Sequence, residues 1–157
     1  MIPAFTGLGP PFWNANARAA FLGINASTTK KHLVRAALES VVFQMAVYLD
    51  FLQRDNNFKL KSLVIDGGMI KNKLFLQMIA DLLQIEIMVP KIEEMSLYGA
   101  LLFGIQKEKN ISDLNDLKIY EIKRETYSFQ KNPSLQKSYE LWKGLIEKHF
   151  LSNQEKN

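Results

Sequence analysis

The middle of the chain predicts an α/β fold with a parallel-rich sheet flanked by helices. Residues 60–66 form an apolar run typical of a buried strand, and helical periodicity follows two glycines at its end. A second short strand is predicted at residues 86–89, closed by Pro90, and a further helix from about residue 94 to residue 106. Strand, helix, strand and helix in short succession are typical of parallel strands joined by right-handed crossovers.

A long amphipathic helix precedes this unit. From residue 28 apolar side chains recur at helical spacing as far as Leu52, and the pattern ends near residues 55–57. Ser27, Thr28 and Thr29 are the N-cap candidates, because short hydroxyl side chains accept hydrogen bonds from the first free N–H groups of a helix. The pattern therefore predicts a single long helix.

The two ends of the chain differ from the middle. Residues 2–25 are rich in glycine, proline and aromatic side chains, so extended or turn geometry is expected there, with a short strand at residues 19–24. Towards the other end we expect a loop or single turn at residues 110–118, an edge strand within residues 120–129 and a final helix at residues 133–150.

Length and composition fit one globular domain, which we expect at residues 1–150, followed by a disordered tail at residues 151–157. Apolar residues make up 47% of the chain and charged residues 23%, which argues against disorder for most of its length. The net charge of +4 comes from scattered lysines and arginines, so the sequence disfavours nucleic-acid binding.

Composition also excludes several kinds of site. The chain has no cysteine, and its two histidines, His32 and His149, are far apart in sequence, so no disulfide, thiolate or histidine-rich metal site is expected. No apolar run reaches the roughly 20 residues needed to span a bilayer. The first residues lack the charged start and apolar core of a signal peptide. We therefore expect a cytoplasmic protein without membrane contact.

The strongest candidate site is the junction VIDGGMIKN at residues 64–72, where the first predicted strand ends. Ligands of open parallel sheets bind beyond the carboxyl ends of the strands. Gly67 and Gly68 have no Cβ to keep a ligand from the backbone, and the following helix N-terminus suits phosphate. Asn72 offers a donor and an acceptor that suit the polar edge of a nucleotide. A purely structural strand-to-helix turn is the competing interpretation, since no P-loop or dinucleotide-binding glycine motif is present.

Other polar residues favour structural roles. Asp66 is a candidate base or metal ligand, but an Asp at a strand end often caps the next helix. Glu39 is expected to pair with Arg35 one helical turn earlier. Arg18 is a candidate phosphate ligand, and a structural ion pair is the favoured alternative.

For the aromatic and small candidates, a ligand contact and simple packing are the two competing interpretations. Phe12 and Trp13 could stack on a ring, although packing is the favoured role. Gly99 and Ala100 allow close approach of a ligand or a helix, and close packing alone explains them. No Ser/His/Asp arrangement is supported.

Five stretches resemble the FGGY family of carbohydrate kinases in order and spacing. Residues 2–18, IPAFTGLGPPFWNANAR, are similar to the PAFTGLGAPYWDPxAR block of glycerol kinases within that family. Residues 66–83 resemble the DGGxxxNxxLMQxxADxL block and keep Gly67, Gly68 and Asn72. The other three stretches are FLGINASTTKKHLVRAALE at residues 21–39, EMSLYGALLFG at 94–104 and YSFQKNPSLQKSYELWKGL at 127–145.

The resemblance implies the fold, ligands and activity of a sugar kinase. It implies part of an actin-like, ribonuclease-H-like ATPase domain, two of which close around a cleft in the family. By matching position, Gly68 and Asn72, beside Gly67, are expected to contact the adenosine part of ATP or ADP. The implied reaction of the complete enzyme is transfer of the γ-phosphoryl group of ATP to glycerol, giving glycerol 3-phosphate, with Mg ligands outside this chain.

Two family motifs are not found in these 157 residues. Family members carry a DxGTTS phosphate-binding loop and a GDQQ motif with the catalytic Asp, both before the matched region. The chain is therefore expected to correspond to the last third of a kinase and to be inactive alone. A separate N-terminal kinase chain is a candidate partner, and self-association through exposed apolar surface is expected. The alternatives are a non-catalytic nucleotide-binding or interaction module left by such a gene, or part of another FGGY sugar kinase.

Overall fold

The computed structural model describes residues 1–92, 94–113 and 122–151. Within them, the helices are α1 (Lys30–Asp55), α2 (Lys73–Leu83), α3 (Met95–Glu108) and α4 (Pro133–Ile146). The strands are β1 (Ser62–Val64), β2 (Glu86–Pro90) and β3 (Arg124–Tyr127). A 3₁₀ turn at Gly68–Lys71 leads into α2, and a π-helical turn at Glu147–Leu151 follows α4.

The described strands form a mixed sheet in the order β1–β2–β3. β1 and β2 are parallel, with Val64 opposite Met88, and α2 connects them as a crossover. β3 runs antiparallel to β2, with Tyr127 opposite Ile87. The predicted α/β fold, the parallel pair and the edge strand are confirmed.

The hydrophobic core lies on one face of this sheet. Ile87 and Val89 of β2 point to it and are buried, together with most of the apolar side chains of α2. Phe43 of α1 packs its ring 5.6 Å from the ring of Tyr139 and 5.7 Å from that of Trp142, both on α4. The indole N–H of Trp142 donates to the carbonyl oxygen of Met1 at 2.7 Å, so the core also holds the N-terminal segment.

The other face of the sheet is open among the described residues. Val64 is 45% exposed, and Met88 beside it is half-buried. α3, which follows β2, has no buried residue. Apolar surface therefore remains in contact with solvent on this side.

Two predicted strands differ from the structure. Within residues 19–24 only Ala20 pairs, in an isolated antiparallel bridge to Ile2, and Gly23 adopts a φ of 74°, which interrupts extended backbone. The run at residues 60–66 forms a strand only at Ser62–Val64 and is half-buried or exposed, because β1 lies at the edge of the sheet with one face uncovered. The prediction of a buried strand is wrong in this respect.

The helices lie where periodicity predicted them. α1 begins after Thr29, whose N–H donates to Nδ1 of His32 at 3.2 Å. α4 begins at Pro133 behind the N-cap Asn132, whose side chain accepts from the N–H of Leu135 at 3.2 Å. The predicted disordered tail lies almost wholly outside the described residues, as do most of the residues of the predicted turn at 110–118. Each helix within the described residues is too short or too polar to span a bilayer.

Candidate functional site

The turn after β1 is held open by glycine. Gly67 has φ 108° and ψ 174°, a conformation that side chains rarely adopt, so this position favours glycine. Its carbonyl oxygen accepts from the N–H of Ile70 at 3.1 Å, which closes the 3₁₀ turn. The N–H of Ile65 donates to the carbonyl oxygen of Met88 at 2.9 Å and ties the start of the turn to β2.

The main chain of this turn faces empty space. A Cβ added to Gly67 or Gly68 would meet no other atom within 4 Å. Gly68 begins the 3₁₀ turn and does not have a positive φ in the range that requires glycine. Neither packing nor backbone geometry therefore demands glycine at position 68. The same is true of Gly144 on α4, so what distinguishes Gly68 is its place in a cleft.

A cleft of about 290 Å³ lies in front of the turn. One wall is the turn itself, and the other is the beginning of α3, which follows the neighbouring parallel strand. The lining residues are Asp66, Gly67, Gly68, Ile70, Lys71, Glu94, Met95 and Ser96. The site therefore lies at the carboxyl ends of two adjacent parallel strands, where open α/β sheets bind ligands.

Asn72 has a structural role at the far end of the turn. It is the N-cap of α2, and its Oδ1 accepts from the N–H of Phe75 at 3.1 Å. Asn72 is not among the residues that line the cleft. The amide NH₂ group of its side chain supplies the donor for a ligand.

The structure tests the structural roles expected for the charged candidates. Asp66 lines the cleft and does not cap a helix, since Gly67 and Asn72 hold the two N-cap positions. The expected pair of Arg35 and Glu39 is confirmed, with Nε and Oε1 2.6 Å apart. The guanidinium of Arg18 donates to two backbone carbonyl oxygens, those of Ala15 and Ala17, at 3.0 and 2.9 Å. Among the described contacts Arg18 therefore makes neither the favoured ion pair nor a contact at the cleft.

The structure also tests the packing roles expected for the aromatic and small candidates. Phe12 packs against the core as expected, but Trp13 is 72% exposed, so packing is the wrong interpretation for Trp13. Ala100 is exposed and a Cβ on Gly99 would meet nothing within 4 Å, so no element of the described chain packs closely on these two residues. α3 has no neighbouring element over its outer surface in the described chain.

The residues at the start of α3 were not predicted from the sequence to belong to the site. Glu94, Met95 and Ser96 line the cleft opposite the glycine turn. The available signal was their position directly after a strand parallel to β1, since the carboxyl ends of parallel strands meet at one edge of a sheet. Across the described residues there is no group of three or more His, Cys, Asp or Glu side chains that could hold a metal ion.

Two other cavities among the described residues are larger than this cleft. One of about 310 Å³ lies between α1, α4 and the N-terminal loop, and one of about 510 Å³ lies between α1, α2 and α4. Both are lined by helix and loop side chains and contain no glycine. Of these three cavities of the described residues, the cleft at the strand ends is the one that glycine main chain lines.

Comparison with known proteins identifies the family. The sequence profile of the FGGY family of carbohydrate kinases, C-terminal domain, matches residues 1–106. The chain belongs to the FGGY family of carbohydrate kinases. This FGGY domain is 45% identical to a glycerol kinase from Deinococcus radiodurans over 100 residues, which are 64% of this chain and 20% of the relative. It is 33% identical to the glycerol kinase of Francisella philomiragia over 149 residues, which are 94% of this chain and 30% of the relative.

Solved structures agree with the fold of the FGGY domain. A Plasmodium falciparum glycerol kinase with ADP superposes with a TM-score of 0.78 at 31% identity, over 94% of this chain and 30% of that one. A ligand-bound xylulose kinase from Lactobacillus acidophilus, at 21% identity and a TM-score of 0.74, covers 96% of this chain and 32% of its own, and supports the fold alone. The chain thus spans less than a third of the length of the relatives that it matches, and it is a glycerol kinase-like C-terminal domain.

Proposed function

We propose that Gly67, Gly68 and Asn72 bind ATP or ADP and that the chain forms the adenosine side of the nucleotide site of a glycerol-phosphorylating kinase. The observation that carries the proposal is the bare main chain at the carboxyl end of β1. A purine is flat, and it can lie against main chain that carries no side chain. The open space in front of Gly67 and Gly68 has room for such a ring.

Asn72 contributes to this proposal through its amide NH₂ group. Because Oδ1 caps α2, the side chain is held in one orientation by a 3.1 Å hydrogen bond to the N–H of Phe75. A donor held in place loses little conformational freedom when a ligand binds. The ring nitrogens or ribose oxygens of an adenosine are suitable acceptors for it.

Magnesium is proposed to reach the site with the nucleotide. Asp66 and Glu94 supply carboxylates to the cleft, but the described residues hold no larger cluster of ligand-type side chains. Mg²⁺ is usually held by one or two carboxylates together with phosphate oxygens and water. We therefore place most of its ligands on the rest of the kinase and on the phosphates.

Glycerol is the proposed phosphoryl acceptor. The block at residues 2–18 has the glycerol kinase pattern, and the relatives named above are glycerol kinases. Phosphoryl transfer depends on a positioned base, metal and nucleotide. Since the DxGTTS and GDQQ strings do not occur in these 157 residues, we expect this polypeptide alone to release no ADP above background in a coupled assay with glycerol and Mg-ATP. Clear turnover by pure material would contradict the proposed division of the site.

Titration with ADP tests the nucleotide site. Gly68→Ala adds one methyl group in front of the bare backbone, where it meets no protein atom, and it should weaken ADP binding by about 10-fold or more without loss of stability. Gly144→Ala is the matched control, because Gly144 is also open on its Cβ side but lies on α4, away from the cleft. Equal affinities for wild type and Gly68→Ala would place the nucleotide elsewhere.

Asn72→Asp separates the two roles of Asn72. The carboxylate keeps the cap on α2, which favours a negative charge at its N-terminus, but it removes the NH₂ donor. We expect unchanged thermal stability and weaker ADP binding by calorimetry. Unchanged binding would leave Asn72 with the cap alone.

A further inference from the structure

A second cavity of the FGGY domain has aromatic walls and a charged lining. It is the cavity of about 310 Å³ between α1, α4 and the N-terminal loop, and its volume is near the lower end of the roughly 300–1,000 Å³ typical of small-molecule sites. Phe12, Phe51 and Tyr139 contribute aromatic rings to its lining. Aromatic side chains bind another ring by offset or edge-to-face contact. The walls therefore suit the ring of one small molecule.

Two opposite charges on α1 line this cavity without pairing with each other. Asp50 and Arg54 are four residues apart, with the acid nearer the N-terminus of the helix, which is the order that better supports an ion pair. Arg35 and Glu39 have the same spacing in the reverse order, and their Nε and Oε1 atoms are 2.6 Å apart. Among the described residues, however, Asp50 and Arg54 form no ion pair. The helix thus presents a carboxylate and a guanidinium to the same cavity.

The contacts of Asp50 leave one of its oxygens for a ligand. Its Oδ2 accepts from the hydroxyl of Tyr139 at 3.1 Å, which holds the side chain against α4. Oδ1 accepts no hydrogen bond from the described residues. The pKa of Tyr139 is raised by burial and by the Asp50 carboxylate, and the positive charge of Arg54 opposes that rise. The guanidinium and the carboxylate therefore both lie near the Tyr139 hydroxyl.

The other charges of the described lining are those of Lys143 and Glu147. Nζ of Lys143 lies 4.6 Å from the centroid of the Tyr139 ring and 2.9 Å from Oε2 of Glu140, so it is already engaged on α4. Glu147 is exposed on the turn that follows α4. Together with the two α1 side chains, the lining has as many positive as negative groups. Charge complementarity therefore favours a ligand that carries both signs over a simple anion or cation.

We propose that this cavity binds an aromatic α-amino acid, at a site separate from the nucleotide cleft. The carboxylate of the ligand pairs with the guanidinium of Arg54, whose planar N–H groups match a carboxylate. The ammonium group donates to Oδ1 of Asp50, and the ring lies against Phe12 and Phe51. An α-amino acid carries both charges on one carbon atom, which suits an acid and a base one helical turn apart. The cavity and the cleft share no described lining residue, so the proposal does not depend on the nucleotide site.

Titration of the 157-residue chain with L-phenylalanine, followed by NMR of an isotope-labelled sample, tests the proposal. The amide signals of residues 50–54 should shift and saturate, with a Kd below about 1 mM. Two analogues separate the charges, because phenylpropionate lacks the ammonium group and phenylethylamine lacks the carboxylate. Each should bind at least about 10-fold more weakly than L-phenylalanine, the factor expected for a lost charge-assisted hydrogen bond.

Two substitutions assign the charged contacts. Arg54→Gln should weaken L-phenylalanine binding by about 10-fold or more, because glutamine has neither the charge nor the planar pair of donors. Arg124→Gln is the matched control, since Arg124 is an exposed arginine on β3 outside the lining, and it should leave the Kd unchanged. Asp50→Asn should weaken binding of L-phenylalanine but not of phenylpropionate, which has no ammonium group. Phenylpropionate thereby reports whether the cavity of this variant keeps its shape.

Three results would overturn the proposal. One is the lack of a saturable shift at residues 50–54 with L-phenylalanine up to about 10 mM. Another is equal affinity for L-phenylalanine and phenylpropionate, which would assign the cavity to anions. The third is a wild-type Kd in Arg54→Gln. Gly68→Ala should leave L-phenylalanine binding unchanged, so failure of this inference and failure of the nucleotide site are distinguishable.

Discussion

The carboxylate of Asp81 joins α2 to the segment before α4, and its removal is the most informative test of how this domain is held together. Oδ1 accepts from Nε2 of Gln77 at 2.7 Å and from the backbone N–H of Gln130 at 2.9 Å. Oδ2 accepts from Nδ2 of Asn132 at 3.3 Å. Asp81 itself is only 9% exposed. One short side chain therefore connects the last turns of α2 to residues about fifty positions later.

The cost of Asp81→Ala follows from these three contacts. A hydrogen bond in a partly buried site contributes about 1 kcal/mol net, and more when the acceptor is charged. Three of them sum to roughly 3 kcal/mol, a large fraction of the roughly 5–15 kcal/mol that typically stabilises a domain. For a chain of this size the thermal midpoint should fall by about 6–12 °C.

Urea unfolding followed by circular dichroism measures this loss. With a slope near 2 kcal/mol per molar urea, the midpoint should fall by about 1.5 M and the slope should stay unchanged. Asp81→Asn should recover part of the loss, because its amide oxygen can still accept from Gln130. Asp55→Ala is the control, since Asp55 is an exposed carboxylate at the end of α1. A loss below about 0.5 kcal/mol for Asp81→Ala, or one equal to that of Asp55→Ala, would refute the role of Asp81 as a connector.

Two further predictions concern the contact between α1 and α4. Trp142→Phe keeps an aromatic ring next to Phe43 but removes the 2.7 Å hydrogen bond to the carbonyl oxygen of Met1. The free energy of unfolding measured by urea titration should therefore fall by about 1–2 kcal/mol. An unchanged free energy would mean that a water molecule replaces the indole N–H as the donor to this oxygen. The pKa of Tyr139 is raised by burial and then by the Asp50 carboxylate, which its hydroxyl contacts at 3.1 Å. The unfolded chain releases the Tyr139 hydroxyl proton near pH 10, whereas the folded chain retains it, so the free energy of unfolding should fall as the pH rises above 10. Tyr139→Phe should lessen this fall. Identical slopes of the free energy of unfolding against pH between about 9 and 11 for wild type and variant would contradict the prediction.

Much of the fold could be predicted from local patterns. α1 and α2 have helical periodicity, and β2 is a short apolar run closed by Pro90, so their type and approximate bounds follow from the residues themselves. The failures occur where the surroundings of an element matter more than its own sequence. Residues 21–24 are as apolar as a strand but pair with no strand in the described part of the chain, and β1 is apolar without being buried.

The candidate site was predicted in part. Gly67 and Gly68 were identified because a glycine pair after a strand is a local signal, and the structure places both in one cleft. The opposite wall at Glu94–Ser96 depends on the packing of β2 beside β1, which no local pattern encodes. The capping of α2 by Asn72 likewise required the geometry of the turn.

Sequence alone determined the order of the elements and the family blocks, since helical and strand periods and short motifs are properties of neighbouring residues. Tertiary structure alone decided that the glycine turn faces open space, that Asp81 joins α2 to the approach to α4, and that no described residue covers α3 or one face of the sheet. These depend on which surfaces meet across long separations in the chain, and burial of apolar area and pairing of polar groups are settled only when the whole domain packs.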